Sequence, residues 1–270
     1  MYEQITSIQN PQVKTWASLL TRKGRERTGC FLIEGAHLVT EAFRSGMNVD
    51  TVIFVPDSPA VMELEAGEYG PGRLAGQVRW SAVADAVLAK ITDSVTPQGV
   101  AAVVRIPESN AADLLARGGI FIAVDAVQDP GNVGTIIRSA DAVGATAVWL
   151  GTGTVDVYNP KAVRATMGSL FHVPIVSGPL DDLFAQSKQA GVRVVATSLA
   201  ASRTCYKADL GTGAVCILVG NEGAGVAPQW IAAADETVIV PIPGKAESLN
   251  VAMAATVLLY EALRQRSFQK

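Results

Sequence analysis

The chain has 270 residues, of which 49% are hydrophobic and 17% are charged, and its formal net charge at pH 7 is −3. This length accommodates one large domain or two of ordinary size, each able to bury a core. The composition excludes a largely disordered chain, and no apolar run approaches the roughly 18 residues of a membrane span. The N-terminal sequence MYEQITSIQNPQVK lacks the basic and apolar regions of a signal peptide, so we expect a cytoplasmic protein.

The first part of the chain alternates helix-like and strand-like segments. Asn10 and Pro11 have the residue types expected of the N-cap and first position of a helix over residues 11–20. Strands are predicted at 30–33, 51–55 and 99–106, and further helices at 36–44 and 81–90. We therefore predict an α/β domain over residues 1–106, followed by a linker at 107–119 that contains Pro, Ser, Asn and a Gly pair around a short ADLLAR helix.

From residue 120 the alternation is more regular. A long final helix is predicted at 249–266, and apolar strands are predicted at 120–124, 146–150, 173–176, 192–198, 214–220 and 237–242. Apolar strands that alternate with helices predict a parallel sheet covered on both faces. The expected fold class is therefore α/β throughout, with a second domain over residues 120–270.

Cysteine and histidine usage argues against metal or disulfide chemistry. Cys30, Cys205 and Cys216 form no CxxC pair, and neither histidine stands at a metal-ligand spacing. We expect reduced thiols and no metal site.

The basic residues are concentrated near the N-terminus. Residues 14–27 contain five basic side chains (Lys14, Arg22, Lys23, Arg25 and Arg27) against the single acidic Glu26, a local net charge of +4. Such a cluster is typical of a nucleic-acid contact, although a solvated helix end is an equally good interpretation.

Three segments place polar residues and glycines at predicted strand ends, where ligands bind in open parallel sheets. In the first, Asn132 and Arg138 are six residues apart on one helix; an N-cap asparagine with a solvent-facing arginine is the simpler interpretation. In the second, Gly220, Gly223 and Gly225 surround Asn221 and Glu222, which favours a nucleoside pocket. No GxGxxG fingerprint follows the strand predicted at 120–124, which argues against a dinucleotide-dependent dehydrogenase.

The third segment runs from Val240 into the final helix. Two prolines and a glycine precede Ser248, a plausible helix cap, and Asn250, which could be a first-turn surface residue. The apolar residues that follow are mainly expected in the core.

Together, the motifs NVGTIIRSADAVGA, ILVGNEGAGV and IPGKAESLNVAMAATVLLYEALR closely resemble the SpoU (TrmH) family of RNA ribose 2′-O-methyltransferases. The N-terminal motifs NPQVKTW, LLTRKGRERTG and FLIEGAHLVTEA resemble the small RNA-binding domain of the ribosomal-RNA branch, which is similar to ribosomal protein L30e. The resemblance covers nearly the whole chain. It implies an L30e-like substrate-binding domain and a catalytic SPOUT domain with a C-terminal trefoil knot.

The resemblance also implies a cofactor and an assembly. The methyl donor is S-adenosylmethionine (SAM), and the positions that match the family's donor site are Gly220, Ile242 and Leu249. Apolar walls and exposed backbone groups suit an adenine ring. The family works as a homodimer, and the final helix, with Met253, Val257, Leu258 and Tyr260, is the expected interface.

By the same resemblance, Asn132, Arg138, Glu222, Ser248 and Asn250 are the expected catalytic positions. A guanidinium, with a pKa above about 12, is a poor general base. Arg138 is therefore expected to orient the ribose hydroxyl and an adjacent phosphate, and to act as a base only if its pKa is strongly depressed. Lys14, Lys23, Arg25, Arg27 and Arg164 are the expected RNA contacts, with a salt bridge as the alternative for Arg164.

The leading hypothesis is a SAM-dependent methyltransferase that modifies a ribose 2′-hydroxyl in 23S ribosomal RNA. The alternatives are a transfer-RNA ribose methyltransferase and a non-catalytic RNA-binding assembly factor with the same fold. The expected partners are RNA and a second copy of the chain, without a membrane.

Overall fold

The computed structural model describes residues 4–70 and 78–267. Its elements, in chain order, are α1 (Pro11–Ser18), α2 (Arg22–Thr28), β1 (Cys30–Glu34), α3 (Ala36–Arg44), β2 (Val49–Phe54), α4 (Pro59–Ala66), β3 (Arg79–Ala82), α5 (Asp85–Ile91), β4 (Val100–Arg105), α6 (Ala111–Ala116), β5 (Ile120–Val124), α7 (Pro130–Ala142), β6 (Ala147–Gly151), α8 (Pro160–Thr166), β7 (Ile175–Gly178), α9 (Leu180–Ala190), β8 (Arg193–Thr197), β9 (Val215–Val219), α10 (Pro228–Ala233), β10 (Glu236–Val238) and α11 (Val251–Ser267). They form two compact units. Among the described residues, no helix is long and apolar enough to span a membrane.

The first unit is built on a four-stranded sheet with the order β1-β4-β2-β3. β4 is antiparallel to both β1 and β2, and β3 is parallel to β2. Apolar side chains of α1 and α5, including Trp16 and Leu88, pack with Leu32 and Ile53 in the core on one face of this sheet. As predicted, Asn10 caps α1, since its side chain accepts a hydrogen bond from the Gln12 amide at 2.8 Å.

The first unit also contains Asp156–Phe171, a segment that lies between β6 and β7 in the sequence. α8 belongs to this segment and packs against β1. The polypeptide therefore enters the second unit after Glu108, returns to the first unit after Val155, and enters the second unit again after Phe171. This arrangement differs from the predicted division into two continuous domains, because a parallel strand connection has room for an excursion that sequence periodicity does not reveal.

The second unit contains a six-stranded sheet with the order β10-β8-β9-β5-β6-β7. Every neighbouring pair is parallel, as the apolar strands predicted. Alternate strand residues, among them Phe121 and Trp149, pack with side chains from α6, α9 and α10. α7 and α11 pack against each other, and both contact strands of the same sheet. Both faces are thus covered.

Three sequence predictions need correction. Residues 81–90 were expected to be one helix, but 79–82 form the short strand β3 and the helix begins at Asp85. The ADLLAR helix expected within the linker is present as α6, but its Leu114 and Leu115 are buried in the core of the second unit, so it belongs to that unit rather than to a linker. The last strand ends at Val238 rather than at residue 242, so Ile242 follows the strand instead of lying on it.

Candidate active site

Two neighbouring strands, β5 and β9, carry the polar residues of the site just past their carboxyl ends. β5 leads into a loop that ends at Asp129, whose carboxylate accepts a hydrogen bond from the Asn132 amide at 2.9 Å and so caps α7. Asn132, the cap in the simpler interpretation of the sequence, is therefore not the N-cap residue. The Asp-Pro pair at 129–130 was the better signal, since it supplies both the N-cap and the first helical residue.

β9 leads into a tight turn from Gly220 to Gly225. The Asn221 and Gly225 backbones exchange hydrogen bonds of 3.0 and 2.9 Å, and the Asn221 side-chain oxygen accepts from the amides of Gly223 and Ala224. The Asn221 side-chain amide donates to the carbonyl of Ala126, a non-glycine residue with a φ of 53°. Asn221 is not among the predicted site residues, but its side chain joins the loop after β9 to the loop after β5.

Three predicted catalytic residues form one hydrogen-bonded chain. The Asn250 side-chain amide donates to the Asn132 side-chain oxygen at 2.9 Å, and the Asn132 amide donates to the Glu222 carboxylate at 2.9 Å. Glu222 also accepts from the backbone amides of Gln128 and Asp129, at 3.3 and 3.1 Å. Glu222 lies 90 residues and Asn250 lies 118 residues after Asn132, so three separate sequence motifs meet in one cluster.

The hydrogen bonds of this cluster decide the ionisation of Glu222. Partial burial acts to raise the pKa of its carboxyl group, but donation from the Asn132 side chain and from backbone amides outweighs that effect. The net pKa lies below the ordinary value of 4.5. Glu222 is therefore a carboxylate at neutral pH, and its accepting positions are occupied by donors from the protein.

A cavity of about 580 Å³ borders the cluster, at the carboxyl ends of β8, β9 and β10. Its lining includes Glu222 and Asn250 together with the three predicted donor positions Gly220, Ile242 and Leu249. The volume lies in the range of small-molecule sites, and the mixture of apolar walls with a glycine-rich turn suits an adenine nucleoside. The residues present therefore fit SAM. Among the described residues no group of three or more His, Cys, Asp or Glu side chains is placed to hold a metal ion.

The start of the final helix corrects two interpretations. α11 begins at Val251, and the Asn250 side-chain oxygen accepts from the amides of Ala252 and Met253 at 2.9 and 3.3 Å. Asn250, not Ser248, is thus the cap, and it is not merely a first-turn surface residue. Ser248 is exposed and lines the cavity.

Arg138 lies apart from this cluster. It is exposed on α7, on a different side of the helix from Asn132, as the six-residue spacing requires. Within the described part of the chain, no hydrogen bond or ion pair engages its guanidinium, which is thus open to a ligand or to another chain.

The structure separates the predicted RNA-binding residues of the first unit into different classes. Lys14, Lys23 and Arg27 are exposed. Arg25 is only 3% exposed, and its guanidinium binds Asp156 and the Leu19 carbonyl, so the prediction that it contacts RNA is wrong. This distinction could not be read from a run of basic residues.

Arg164 is partly exposed on α8 and forms an ion pair with Asp93 at 3.4 Å. The salt bridge considered as its alternative interpretation is therefore present. An exposed pair of this length is weak, so phosphate could compete for the guanidinium.

Comparison with known proteins places these features in a family. Residues 119–260 match the SpoU rRNA Methylase family, and residues 10–102 match the MRM3-like substrate binding domain. The chain is 39% identical to the 23S rRNA (guanosine(2553)-2′-O)-methyltransferase RlmP of Bacillus subtilis (strain 168), with 96% of this chain and 98% of that protein covered. It is 35% identical to the 23S rRNA (uridine(2479)-2′-O)-methyltransferase of Streptomyces viridochromogenes, with 97% and 92% covered.

The fold agrees with a solved structure over nearly its full length. The crystal structure of an AdoMet-bound rRNA methyltransferase from Sinorhizobium meliloti is similar with a TM-score of 0.86 and 36% identity, with 97% of this chain and 98% of that chain covered. This match extends over both units of the chain. The chain belongs to the SpoU rRNA methylase family.

Proposed function

We propose that this protein transfers a methyl group from SAM to a ribose 2′-hydroxyl of 23S ribosomal RNA. The observation that carries the proposal is the hydrogen-bonded cluster of Asn132, Glu222 and Asn250, whose Glu222 and Asn250 line a nucleoside-sized cavity, in a chain of the SpoU family. Two relatives that match nearly the whole chain are named as 23S rRNA methyltransferases, which favours ribosomal over transfer RNA. A cytoplasmic location is part of the proposal, since relatives that match nearly the whole chain are named for their action on ribosomal RNA.

Gly220, Ile242 and Leu249 would hold the donor, within the C-terminal knot that the resemblance implies. Bound SAM supplies a methyl group on a positively charged sulfur. Ile242 and Leu249 contribute apolar walls, and Gly220 lets the backbone of the turn approach closely. These residues exclude water from the donor and fix its position.

Asn132 and Asn250 are the groups best placed to position the acceptor. Each amide uses its oxygen and one N–H within the protein, so each retains a second N–H for a ribose hydroxyl or a phosphate oxygen. Glu222 fixes the orientation of Asn132 and is a positioning residue in this scheme. Methyl transfer between two aligned groups depends mainly on such positioning.

Arg138 is proposed to orient the 2′-hydroxyl and bind its neighbouring phosphate. Arg138 lies on a different side of α7 from Asn132. The two groups therefore act on one substrate only if the RNA contacts both sides of the helix or if a second protomer supplies its own Arg138. Met253 and Tyr260 are about half exposed on α11, with the partly buried Val257 on the same helical face. We propose this face as the homodimer interface, to be tested by measuring the mass of wild type and Tyr260→Glu in solution.

RNA capture is proposed to rest on the exposed cations of the first unit: Lys14, Lys23, Arg27 and, after release from Asp93, Arg164. Replacing Lys23 and Arg27 by Ala should weaken RNA binding and lower the slope of log affinity against log salt by about 1.4–1.8, since each lost phosphate contact lowers it by roughly 0.7–0.9. SAM affinity should stay at the wild-type value. An unchanged salt slope would contradict this assignment.

The function is tested with purified protein, tritiated-methyl SAM, and ribosomal and transfer RNA from a strain that lacks the gene. Labelled RNA is digested to nucleosides, with Asn132→Ala as the inactive control. Label in a 2′-O-methylated nucleoside of the large ribosomal RNA supports the proposal. Label confined to transfer RNA favours the first alternative, label on a base overturns the mechanism, and SAM binding without label in deproteinised RNA or in assembly intermediates favours the non-catalytic alternative.

A further inference from the structure

Arg25 is the one residue of the basic segment 14–27 whose charge is buried. Its Nε and Nη2 atoms donate to the same carboxylate oxygen of Asp156, at 2.9 and 2.5 Å, and its Nη1 atom donates to the Leu19 carbonyl at 2.6 Å. The guanidinium thus joins the corner between α1 and α2 to a residue that lies 131 positions later in the chain.

From Asp156 the hydrogen bonds continue to α8. The other Asp156 carboxylate oxygen accepts from the Tyr158 amide at 2.9 Å, and the Asn159 side chain donates to the Asp156 carbonyl at 2.5 Å. The Asn159 side-chain oxygen in turn caps α8 through the Ala162 amide at 2.9 Å. Arg25 is therefore connected to the helix that bears Arg164.

Packing holds the same segment to the sheet of the first unit. The Tyr158 ring lies 4.9 Å from the Phe31 ring of β1, centroid to centroid, and Ala162 and Val163 are buried. Aliphatic and aromatic packing already anchors the segment, so the ion pair is not needed simply to attach it. A buried ion pair also contributes little net stability relative to an apolar pair of similar volume. The guanidinium constrains the orientation of the segment, because its planar set of N–H donors can bond a carboxylate and a carbonyl in only a few arrangements.

We infer that Arg25 is a positioning residue for RNA capture, which acts through Asp156 to hold the exposed cations of α2 and Arg164 of α8 in one fixed array. The array combines residues from two distant parts of the sequence. The Arg25–Asp156 pair keeps the distances between the charges of the array constant, so that these charges match the phosphates of a folded RNA. This inference rests on the proposed function only in taking RNA as the ligand.

The test compares Arg25→Leu, Asp156→Leu and the double variant with wild type and with Arg44→Leu, a control in which an exposed helical arginine of the same unit is changed. Three quantities are measured: the KM and kcat for ribosomal RNA, RNA affinity by filter binding, and the melting temperature. Each single variant should raise the KM for RNA about tenfold, as expected when one or two charge-assisted contacts are misplaced. The kcat and the affinity for SAM should change less than about twofold, and the control should match wild type.

The double variant separates positioning from stability. Each single change should lower the melting temperature by about 5–10 °C because it leaves either the buried Arg25 or the partly buried Asp156 without its partner, whereas the double change should restore most of that loss. The KM should remain raised in the double variant, since the apolar pair no longer directs the segment. A KM that recovers together with the melting temperature would show a purely structural pair, and wild-type KM values in both single variants would also overturn the inference.

Failure of the proposed function gives a different pattern. If wild type binds ribosomal RNA but does not methylate it, the proposed reaction is wrong, and the filter-binding affinities of the same variants still decide the role of Arg25. If wild type does not bind RNA, the inference and the proposed RNA capture are both refuted.

Discussion

Replacement of Gly220 by Ala should damage the SAM site more than any other single-methyl change in the turn after β9. A Cβ at this position would lie 1.9 Å from the Gly225 carbonyl carbon and 2.0 Å from the Val226 nitrogen. Carbon atoms pack at about 3.5–4.0 Å, so backbone on one side of the turn has to move by about 1.5 Å. Overpacking of this kind typically costs 1–3 kcal/mol, and about 2 kcal/mol corresponds to roughly a 30-fold loss of affinity if it falls on the bound conformation.

The matched control is Gly223→Ala in the same turn. The nearest atom to a Cβ at that position is the Asn221 side-chain oxygen at 3.7 Å, an ordinary contact. SAM affinity is measured by calorimetry for both variants, together with the melting temperature without ligand. For Gly220→Ala we expect SAM affinity to fall about tenfold, which is about 1.4 kcal/mol borne by the bound conformation alone, and the ligand-free Tm to fall by about 2–4 °C, from roughly 1 kcal/mol that the free protein also bears. For Gly223→Ala we expect values near wild type. Wild-type affinity in Gly220→Ala, or equal losses in both variants, would refute the reasoning.

Three further predictions concern the polar cluster and the thiols. Asn250→Ala should lower stability by about 1 kcal/mol through loss of the α11 cap and abolish methyl transfer. Asn250→Asp should keep the cap but still lose the reaction in single-turnover assays, because the carboxylate cannot donate to Asn132. Because the pKa of Glu222 is lowered in the folded protein, its contribution to stability is complete above pH 4.5 and is lost as the pH falls through the folded-state pKa. Glu222→Gln should therefore make the free energy of unfolding less dependent on pH between pH 7 and pH 3, and an unchanged dependence would show that the carboxylate is unimportant there. Burial raises the pKa of Cys216 to about 12, so this thiol should resist a thiol-specific reagent at about pH 8 until the protein is unfolded, and rapid labelling of the native protein would contradict its buried position.

Local pattern was sufficient for most elements of the fold. The Asn10-Pro11 start of α1 and the apolar runs of β5, β6 and β9 are found at or within one residue of their predicted positions. A strand buried on both faces has to be apolar along its whole length, so its sequence identifies it without knowledge of its neighbours. α2 was not predicted, because a seven-residue helix of mainly polar residues has no hydrophobic periodicity.

The site was predicted as residue types and assembled only by the fold. Motif resemblance brought together Asn132, Glu222 and Asn250, but no spacing in the sequence shows that one amide donates to the next. The cap of α11 was assigned to Ser248 because either Ser or Asn can accept from a helix N-terminus, and the backbone path between them decides which one does.

The sequence by itself therefore determined the α/β class, the family and the glycine-rich turn at Gly220, because these depend on residue type and short-range order. Only the tertiary structure decided that Asp156–Phe171 belongs to the first unit and that Arg25, alone among the basic residues of its segment, is buried. A cation has the same sequence signature whether it meets solvent, phosphate or a carboxylate. Its role depends on the group that the fold brings to it, and for Arg25 that group, Asp156, comes from 131 residues away.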